Sequence, residues 1–226
     1  MDGTIAQVAA IVANGNAWLG GDQEAGARVE SGTTFRFVRS MRFERQAGGP
    51  SPATLAVDTD LGSWFRRLPE WGVTALWFEP RPLAVPTAPP HILAAFANGS
   101  RPSIVTEGAA RDRWISTWTI DRAPTETDRR VWTVNSIGRP DIANLAARPT
   151  VAEATTTLET IVRAARDLAS RLEWTLWSGW FDGALAAAAQ SDPHTTYHDD
   201  GLPPSAELDR HRLFSAAFRD ALASSQ

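Results

Sequence analysis

Hydrophobic side chains follow two different periods along this chain. Between residues 33 and 45 they occur at every second position, as Phe35, Phe37, Met41 and Phe43. This alternation predicts one long strand with an apolar face and a polar face. Shorter strand patterns follow at 54–58, 73–79, 113–121 and 129–137. The front of the chain is therefore expected to form a β-sheet.

Turn signals and short links separate these strands. Two glycines and two prolines between 48 and 52 end the first strand, and a polar segment containing Pro124 joins the last two as a hairpin. Asp60 is the expected N-cap of a short helix that presents Trp64, Phe65 and Leu68. Short connections favour antiparallel pairing, so a meander is the expected topology.

Helical periodicity appears at both ends of the chain. A first helix is expected over 4–13, and a short one over 92–96 within a proline-rich loop at 80–102. After Pro149, a Thr150–Glu153 capping box opens an apolar stripe that runs to Leu172. Further helices are expected over 174–189 and from Leu208 to Leu222, after a loop at 191–204.

This order of elements predicts the fold class. Strands first and helices later indicate α+β, with an antiparallel sheet of about five or six strands, an N-terminal helix and three C-terminal helices. Residues 1–149 are expected to form a mixed region dominated by the sheet. Residues 150–226 are expected to be a helical region packed on that sheet, within one domain overall.

Composition limits the available chemistry. All 22 basic side chains of the 226 residues are arginine, and the chain contains neither lysine nor cysteine. Schiff-base chemistry, a P-loop lysine, thiolate catalysis and Cys-built metal sites are therefore excluded. The usual nucleotide, serine-hydrolase and zinc-protease motifs are also missing from the sequence, so no cofactor is expected.

Net charge and hydropathy indicate which partners and which location to expect for this protein. A hydrophobic content of 43% with 21% charged residues is typical of a globular protein. The net charge of −4 argues against generic binding to nucleic acid or to an anionic membrane. No basic signal-peptide start and no run of about 18 apolar residues is found, so a cytoplasmic protein that does not bind membranes is expected. The oligomeric state is left open.

Two groups of acidic and histidine residues are weak candidates for chemistry. Asp58 and Asp60 end one strand and Glu79 ends another, and paired carboxylates can divide acid and base roles if their strands are neighbours. Capping by Asp60 and surface positions for the others are the alternative. A metal site could use His194, His198 and Asp199, although Pro193 and Gly201 favour an ordinary loop there.

Two surfaces are candidates for binding. The polar side of the long strand carries Arg36, Ser40 and Arg42, and Thr117 and Thr119 are expected on the same side. If the C-terminal helices cover these arginines, the guanidinium groups need partners or an anionic ligand; if water covers them, they have no special role.

The second candidate is an aromatic interface formed by Trp174, Trp177, Trp180 and Phe181. A spacing of three spreads the tryptophans over more than one face of a helix, so at least one is expected to point away from the main core. Packing between helices is the alternative.

Two functional hypotheses follow. The first is a non-catalytic module that recognises a protein partner or a small anionic ligand through a surface lined by Trp and Arg. The second is a hydrolase or transferase that uses Asp, Glu and His for acid–base chemistry. A concave pocket that gathers Asp58, Glu79 or His198 near Arg36 would favour the enzyme. A flat apolar patch around the helix from Trp174 to Phe181 would favour the binding module.

Overall fold

The computed structural model of this chain describes residues 3–49, 53–79, 102–120, 128–140, 150–189 and Pro203. The helices are α1 (Gly3–Leu19), α2 (Ala25–Ser31), α3 (Leu61–Glu70), α4 (Val151–Arg171) and α5 (Thr175–Ala188). The strands are β1 (Val38–Gln46), β2 (Thr54–Asp58), β3 (Val73–Glu79), β4 (Ser103–Gly108), β5 (Asp112–Ile120) and β6 (Trp132–Pro140). The α+β class is confirmed. The expected helices at 92–96 and 208–222 lie outside the described residues.

The six strands form one mostly antiparallel sheet in the order β2-β1-β6-β5-β4-β3. The four strands from β3 to β6 are a meander, as expected, and β1 pairs with β2 as a hairpin. One pair, β1 with β6, is parallel. The helix α3 connects β2 to β3, which lie at opposite edges of the sheet. The chain then reverses direction three times through β4, β5 and β6, so β6 runs in the same direction as its neighbour β1.

The first strand begins later than the sequence predicts. Phe35 lies in a 3₁₀ turn, Thr33–Phe35, and is buried, whereas Phe37 is 45% exposed. The backbone carbonyl of Phe37 accepts hydrogen bonds from Val131 and Trp132, and Arg39 is then an extra residue in the pairing with β6. This extra residue shifts the alternation of side chains between the two faces of the strand. The residues of β1 that face the core are therefore Met41 and Phe43.

The strand β4 was not expected from the sequence. Its first four residues, Ser103, Ile104, Val105 and Thr106, are all buried. Burial on both faces removes the alternation of polar and apolar positions that identifies a half-exposed strand. The Thr106 hydroxyl accepts from the backbone N–H of Asp112, which fixes the turn into β5.

Helices α1, α2 and α3 pack with one face of the sheet around a cluster of aromatic side chains. The rings of Phe43 and Trp64 are stacked with centroids 4.5 Å apart, and Trp64 meets Trp114 edge-on at 5.1 Å. All three are fully buried, together with Phe65 and Leu68 from the same face of α3. The expected inward face of the short helix is thus the centre of the core.

Both edges of the sheet are protected from further pairing. At the β3 edge, the Asn16 side chain from α1 donates to the Leu76 carbonyl at 2.9 Å and accepts from the Leu76 N–H at 2.7 Å. The β2 edge is only five residues long, and Leu55 is an extra residue in its pairing with β1. Short, bulged or capped edges are the usual means of avoiding strand-to-strand association.

The described residues fall into two compact units. The first runs from α1 to β6 with Pro203, and the second contains α4 and α5. The expected capping box begins the second unit: Thr150 Oγ1 accepts from the Glu153 N–H at 3.2 Å, and Glu153 Oε2 accepts from the Thr150 N–H at 2.7 Å. The division at residue 149 and the packing of the helical region on the sheet stay predictions.

The replacement Gly138→Ala tests the core directly. A Cβ on Gly138, towards the end of β6, would come closer than 3.0 Å to three atoms of the Trp114 indole. We expect a loss of about 1–3 kcal/mol in the free energy of unfolding, because overpacking forces the ring out of its position. Chemical denaturation monitored by tryptophan fluorescence measures it.

Gly179→Ala is the matched control. Gly179 lies within α5, and a Cβ there meets nothing within 4 Å. The helix should gain about 0.5–1 kcal/mol from the lower backbone entropy of alanine. Equal effects of the two changes would contradict the described approach of Trp114 to β6.

Candidate functional site

Four of the five polar residues expected to form a ligand surface share one face of the sheet. Strand register aligns Ser40 with Thr133 and Thr119 in one row, and Arg42 with Asn135 and Thr117 in the next. The hydroxyl oxygens of Ser40 and Thr133 are 3.0 Å apart. All four residues are exposed, on the face opposite the aromatic cluster.

Arg36 does not belong to these rows. It follows the 3₁₀ turn before β1 begins, and its guanidinium carbon is 5.8 Å from the centroid of the Phe37 ring. The expected set of Arg36 with Ser40 and Arg42 assumed that one strand starts at Thr33. The bulge at Arg39 removes that regularity, and sequence alternation alone does not reveal it.

Many polar side chains in these two rows already have hydrogen-bond partners within the sheet. Thr117 and Thr119 donate to the backbone carbonyls of β6, at 3.3 and 3.4 Å. Arg42 lies 3.3 Å from Glu44 Oε2. Hydrogen bonds from Gln46 and Thr54, and then from Arg42, lower the pKa of Glu44, so this carboxylate stays charged and offsets the arginine.

The three carboxylates considered for acid–base chemistry are not gathered in one place. Asp60 caps α3, with its Oδ1 accepting from the Ser63 N–H at 2.6 Å. Glu79 pairs with the buried Arg113. Asp58 and Glu79 lie on β2 and β3, the two opposite edges of the sheet, and five strand spacings of about 4.8 Å separate those edges by roughly 24 Å.

Asp58 nevertheless has an unusual environment. It is 5% exposed, its Oδ1 lies 3.5 Å from Arg67 Nη2, and its Oδ2 has no hydrogen-bond partner among the residues that the structure describes. Burial raises the pKa of Asp58 from its ordinary value. Arg67 opposes this shift, and the charges of Asp60 and Glu70 add to it.

The turn between α4 and α5 holds its backbone in a conformation that favours glycine. Glu173 has φ +57°, a left-handed value that non-glycine residues adopt rarely. The Trp174 N–H donates to the Ala169 carbonyl at 2.9 Å and the Glu173 N–H to Ser170 at 3.1 Å. This pair of bonds is a Schellman motif, which ends α4 and starts α5 within three residues.

Large apolar side chains are exposed on both sides of this turn. We call them the turn surface: Leu168, Leu172, Trp174, Leu176 and Trp177, each between 38 and 57% exposed. A depression of about 340 Å³ lies among the residues from Glu173 to Trp177. Trp180 and Phe181 are half-buried and in ring contact with Trp177 and with each other.

The expected aromatic interface thus divides into two parts. Trp174 and Trp177 are exposed, whereas Trp180 and Phe181 pack beside them. The sequence did not single out Leu168, Leu172 and Leu176 as surface residues. Helical periodicity assigns Leu168 and Leu172 to a buried stripe, and only the packing of the helices decides which part of such a stripe stays exposed.

A second concave site lies at the end of the sheet where β1 and β6 begin. This sheet-end cleft has a volume of about 260 Å³, and its lining residues are Glu30, Phe35, Val38, Arg39, Ser40, Met41, Thr59, Asp60 and Arg130. The residues come from four separate stretches of the chain, so no local sequence pattern identifies the cleft. Ser40 and Asp60 are the two that the sequence had marked.

The metal candidates His194, His198 and Asp199 lie outside the described residues. Within the described ranges, no group of three or more His, Asp or Glu side chains has an arrangement suited to a metal ion. None of the helices in the same ranges combines the length and the apolar composition of a membrane span.

Comparisons with protein-family models, with curated proteins and with solved structures gave no match to this chain. The geometry of the sites is therefore the basis for assigning a function to this chain.

The variant Asp58→Asn tests the environment of the buried carboxyl. Because its pKa is raised on folding, the native state binds a proton more tightly than the unfolded chain does. The wild type should therefore lose stability relative to the variant as the pH rises above about 4, until the native carboxyl is also ionised.

Urea unfolding of both proteins between pH 3.5 and 7.5 measures this difference. Glu70→Gln, which removes an exposed carboxylate that pairs with the same arginine, is the control for the loss of a negative charge beside Arg67. A wild type that gains stability relative to Asp58→Asn over this range would mean that the Arg67 ion pair outweighs burial.

Proposed function

We propose that this protein is a non-catalytic binding module and that the turn surface is its contact site for a protein partner. The proposal rests on one observation, the exposure of Trp174 and Trp177 together with three leucines around a single helix–helix turn. Contiguous exposed apolar patches on soluble proteins commonly mark interaction sites. Tryptophan is also among the residues that contribute most to protein interfaces.

The backbone of the turn supports the proposal. A non-glycine residue in the left-handed region costs about 1–3 kcal/mol and persists only where the surrounding structure maintains it. Here that conformation of Glu173 determines where Trp174 emerges from the end of α4. The turn therefore fixes the backbone from which the Trp174 side chain projects, which lowers the entropic cost of binding.

The charges of the turn surface indicate the chemistry of the partner. Glu173 lines the same depression as the two exposed tryptophans, and its carboxylate favours a cationic group. Indole faces also attract cations. A partner segment that carries an apolar side chain next to an arginine or lysine fits this surface best.

The alternative, an acid–base enzyme, has less support. Burial raises the pKa of Asp58, a direction that can favour such chemistry, but Asp60 is used as a helix cap and Glu79 lies at the opposite edge of the sheet. An acid–base mechanism needs a second group within hydrogen-bond reach of the reacting atoms. A small-anion site on the polar face of the sheet has equally little support, because the negative charge of Glu44 offsets the positive charge of Arg42.

Affinity capture with quantitative mass spectrometry tests the proposal. We expect at least one protein to be retained from the extract of the source cells by the wild type and lost on Trp174→Ala/Trp177→Ala. The retained protein is then purified, and its binding to the wild type and to the double variant is measured by calorimetric titration. Removal of two exposed anchor residues should weaken binding by roughly 30-fold or more, as expected for the loss of about 2 kcal/mol.

Ile120→Ala is the matched control, because Ile120 is 64% exposed but lies at the end of β5 in the other unit. It should bind as the wild type does. Equal binding by the double tryptophan variant, or equal loss with Ile120→Ala, would contradict a specific role for the turn surface. Thermal unfolding of each variant excludes a general loss of structure.

A further inference from the structure

The helix α4 has two apolar sides. Its most deeply buried described residue is Ala169, which is 3% exposed, and Val162 lies two turns earlier on the same side. This side faces α5, against which α4 packs in the second unit. The other apolar side carries Ile161 and Leu168, which are 60 and 50% exposed. Each of these two residues directly precedes one on the first side, so the two sides are about 100° apart around the helix.

The exposed side of α4 follows the repeat of a coiled coil. Its apolar residues occur at alternating intervals of four and three, and we call them the α4 seam: Ala154, Leu158, Ile161, Ala165, Leu168 and Leu172. None of the six is buried, and Leu172 is 47% exposed. An apolar repeat that averages about 3.5 residues lets one helix pack lengthwise against another. The seam therefore fits a second helix better than a strand or an irregular segment.

The angle between the two sides indicates how many helices meet. In a four-helix bundle each helix contacts two neighbours, which lie roughly at right angles around it. The hairpin of α4 and α5 supplies two helices. A second copy of the same hairpin completes the bundle, because each α4 then has α5 on one side and the α4 of the other copy along the seam.

The charges beside the seam favour a second copy and determine its direction. Glu153 and Arg171 are both exposed, and they lie on the same flank of the seam, about five helical turns apart. In an antiparallel pair each Glu153 lies near Arg171 of the other copy, so opposite charges meet at both ends. A parallel pair would bring like charges together at both ends, which is unfavourable. The seam is thus complementary to itself in one direction only.

From this combination we infer that the protein forms a two-fold symmetric dimer in which the α4 seams of two copies pack antiparallel and the two hairpins form a four-helix bundle. Pairing about the middle of the seam sets each residue against one of smaller or equal size: Ile161 against Ala165, Leu168 against Leu158 and Leu172 against Ala154. A two-fold interface requires a surface that is complementary to itself in this way.

The dimer deepens the proposed function and rests on it at one point, the use of this side of the helical unit as a protein contact. Leu168 and Leu172 belong both to the seam and to the turn surface, so the second copy is the protein that covers them. Trp174 and Trp177 lie beyond the end of α4 and stay available to a different protein. Ile161 belongs to the seam alone, which allows the two contacts to be tested separately.

Sedimentation equilibrium of the full chain between about 1 and 100 μM tests the inference. We expect the mass of the wild type to approach twice that of one chain as the concentration rises. Ile161→Glu should raise the dimer dissociation constant by about 100-fold or more, because the two-fold axis places the buried charge in the interface twice. Ile161 is exposed in the single chain, so far-UV circular dichroism should show the helices of this variant intact.

Thr156→Glu is the matched control, because it introduces the same charge at an exposed position of α4 that faces away from the seam. It should dimerise as the wild type does. Arg171→Glu tests the direction of packing. It sets like charges together at both ends of an antiparallel pair and should weaken the dimer about tenfold.

This inference and the proposed function can fail independently. A wild type that is monomeric at every concentration, or an equally strong dimer in Ile161→Glu, would overturn the dimer and leave the seam to another part of the chain or to another protein. An unchanged dissociation constant in Arg171→Glu would contradict antiparallel packing. Loss of a captured protein on Trp174→Ala/Trp177→Ala would support the proposed function in each of these cases. A dimer that is lost in Ile161→Glu, without any captured protein, would support the dimer and contradict the contact with a different protein.

Discussion

The contact of Trp64 with Phe43 and Trp114 is the interaction on which the rest of the first unit depends. It joins α3 to β1 and β5, and the fully buried rings leave little freedom to either element. The indole N–H groups of both tryptophans lack hydrogen-bond partners in the described part of the chain. Each unsatisfied donor costs about 1–3 kcal/mol, so ring packing must supply more than that loss.

This cluster determines where the polar groups can lie. Because α3 is fixed by its buried face, its N-terminus stays beside the start of β1, where its amides bind the carboxylates of Glu30 and Asp60. At the other end of α3, Trp71 stacks on Trp114, and Arg45 lies 4.7 Å from the centroid of Trp71 while pairing with Asp112 at 2.7 Å. Arg45 and Asp112 are therefore tied directly to the aromatic cluster, and Glu30 and Asp60 are tied to it through α3.

Local signals predicted the elements well, and non-local pairing explains what the sequence did not show. Strands β2 and β3 and the caps at Asp60 and Thr150 follow from neighbouring residues alone, and the structure has them where the sequence predicts them. The bulge at Arg39 depends on the pairing of β1 with β6. In that pairing Ser40 lies beside Thr133, which is 93 residues later in the chain. The buried β4 lacks alternation, and the sheet-end cleft needs four stretches of chain to meet. No sequence period carries that information.

Native-state hydrogen exchange tests the central role of the aromatic cluster most directly. If the cluster organises the first unit, the slowest amides between residues 3 and 140 should lie in β1, β5, β6 and α3, around Phe43, Trp114 and Trp64, and should exchange only by opening of the whole unit. Slowest exchange at the edges β2 and β3, or in α1 with faster exchange in α3, would contradict that account.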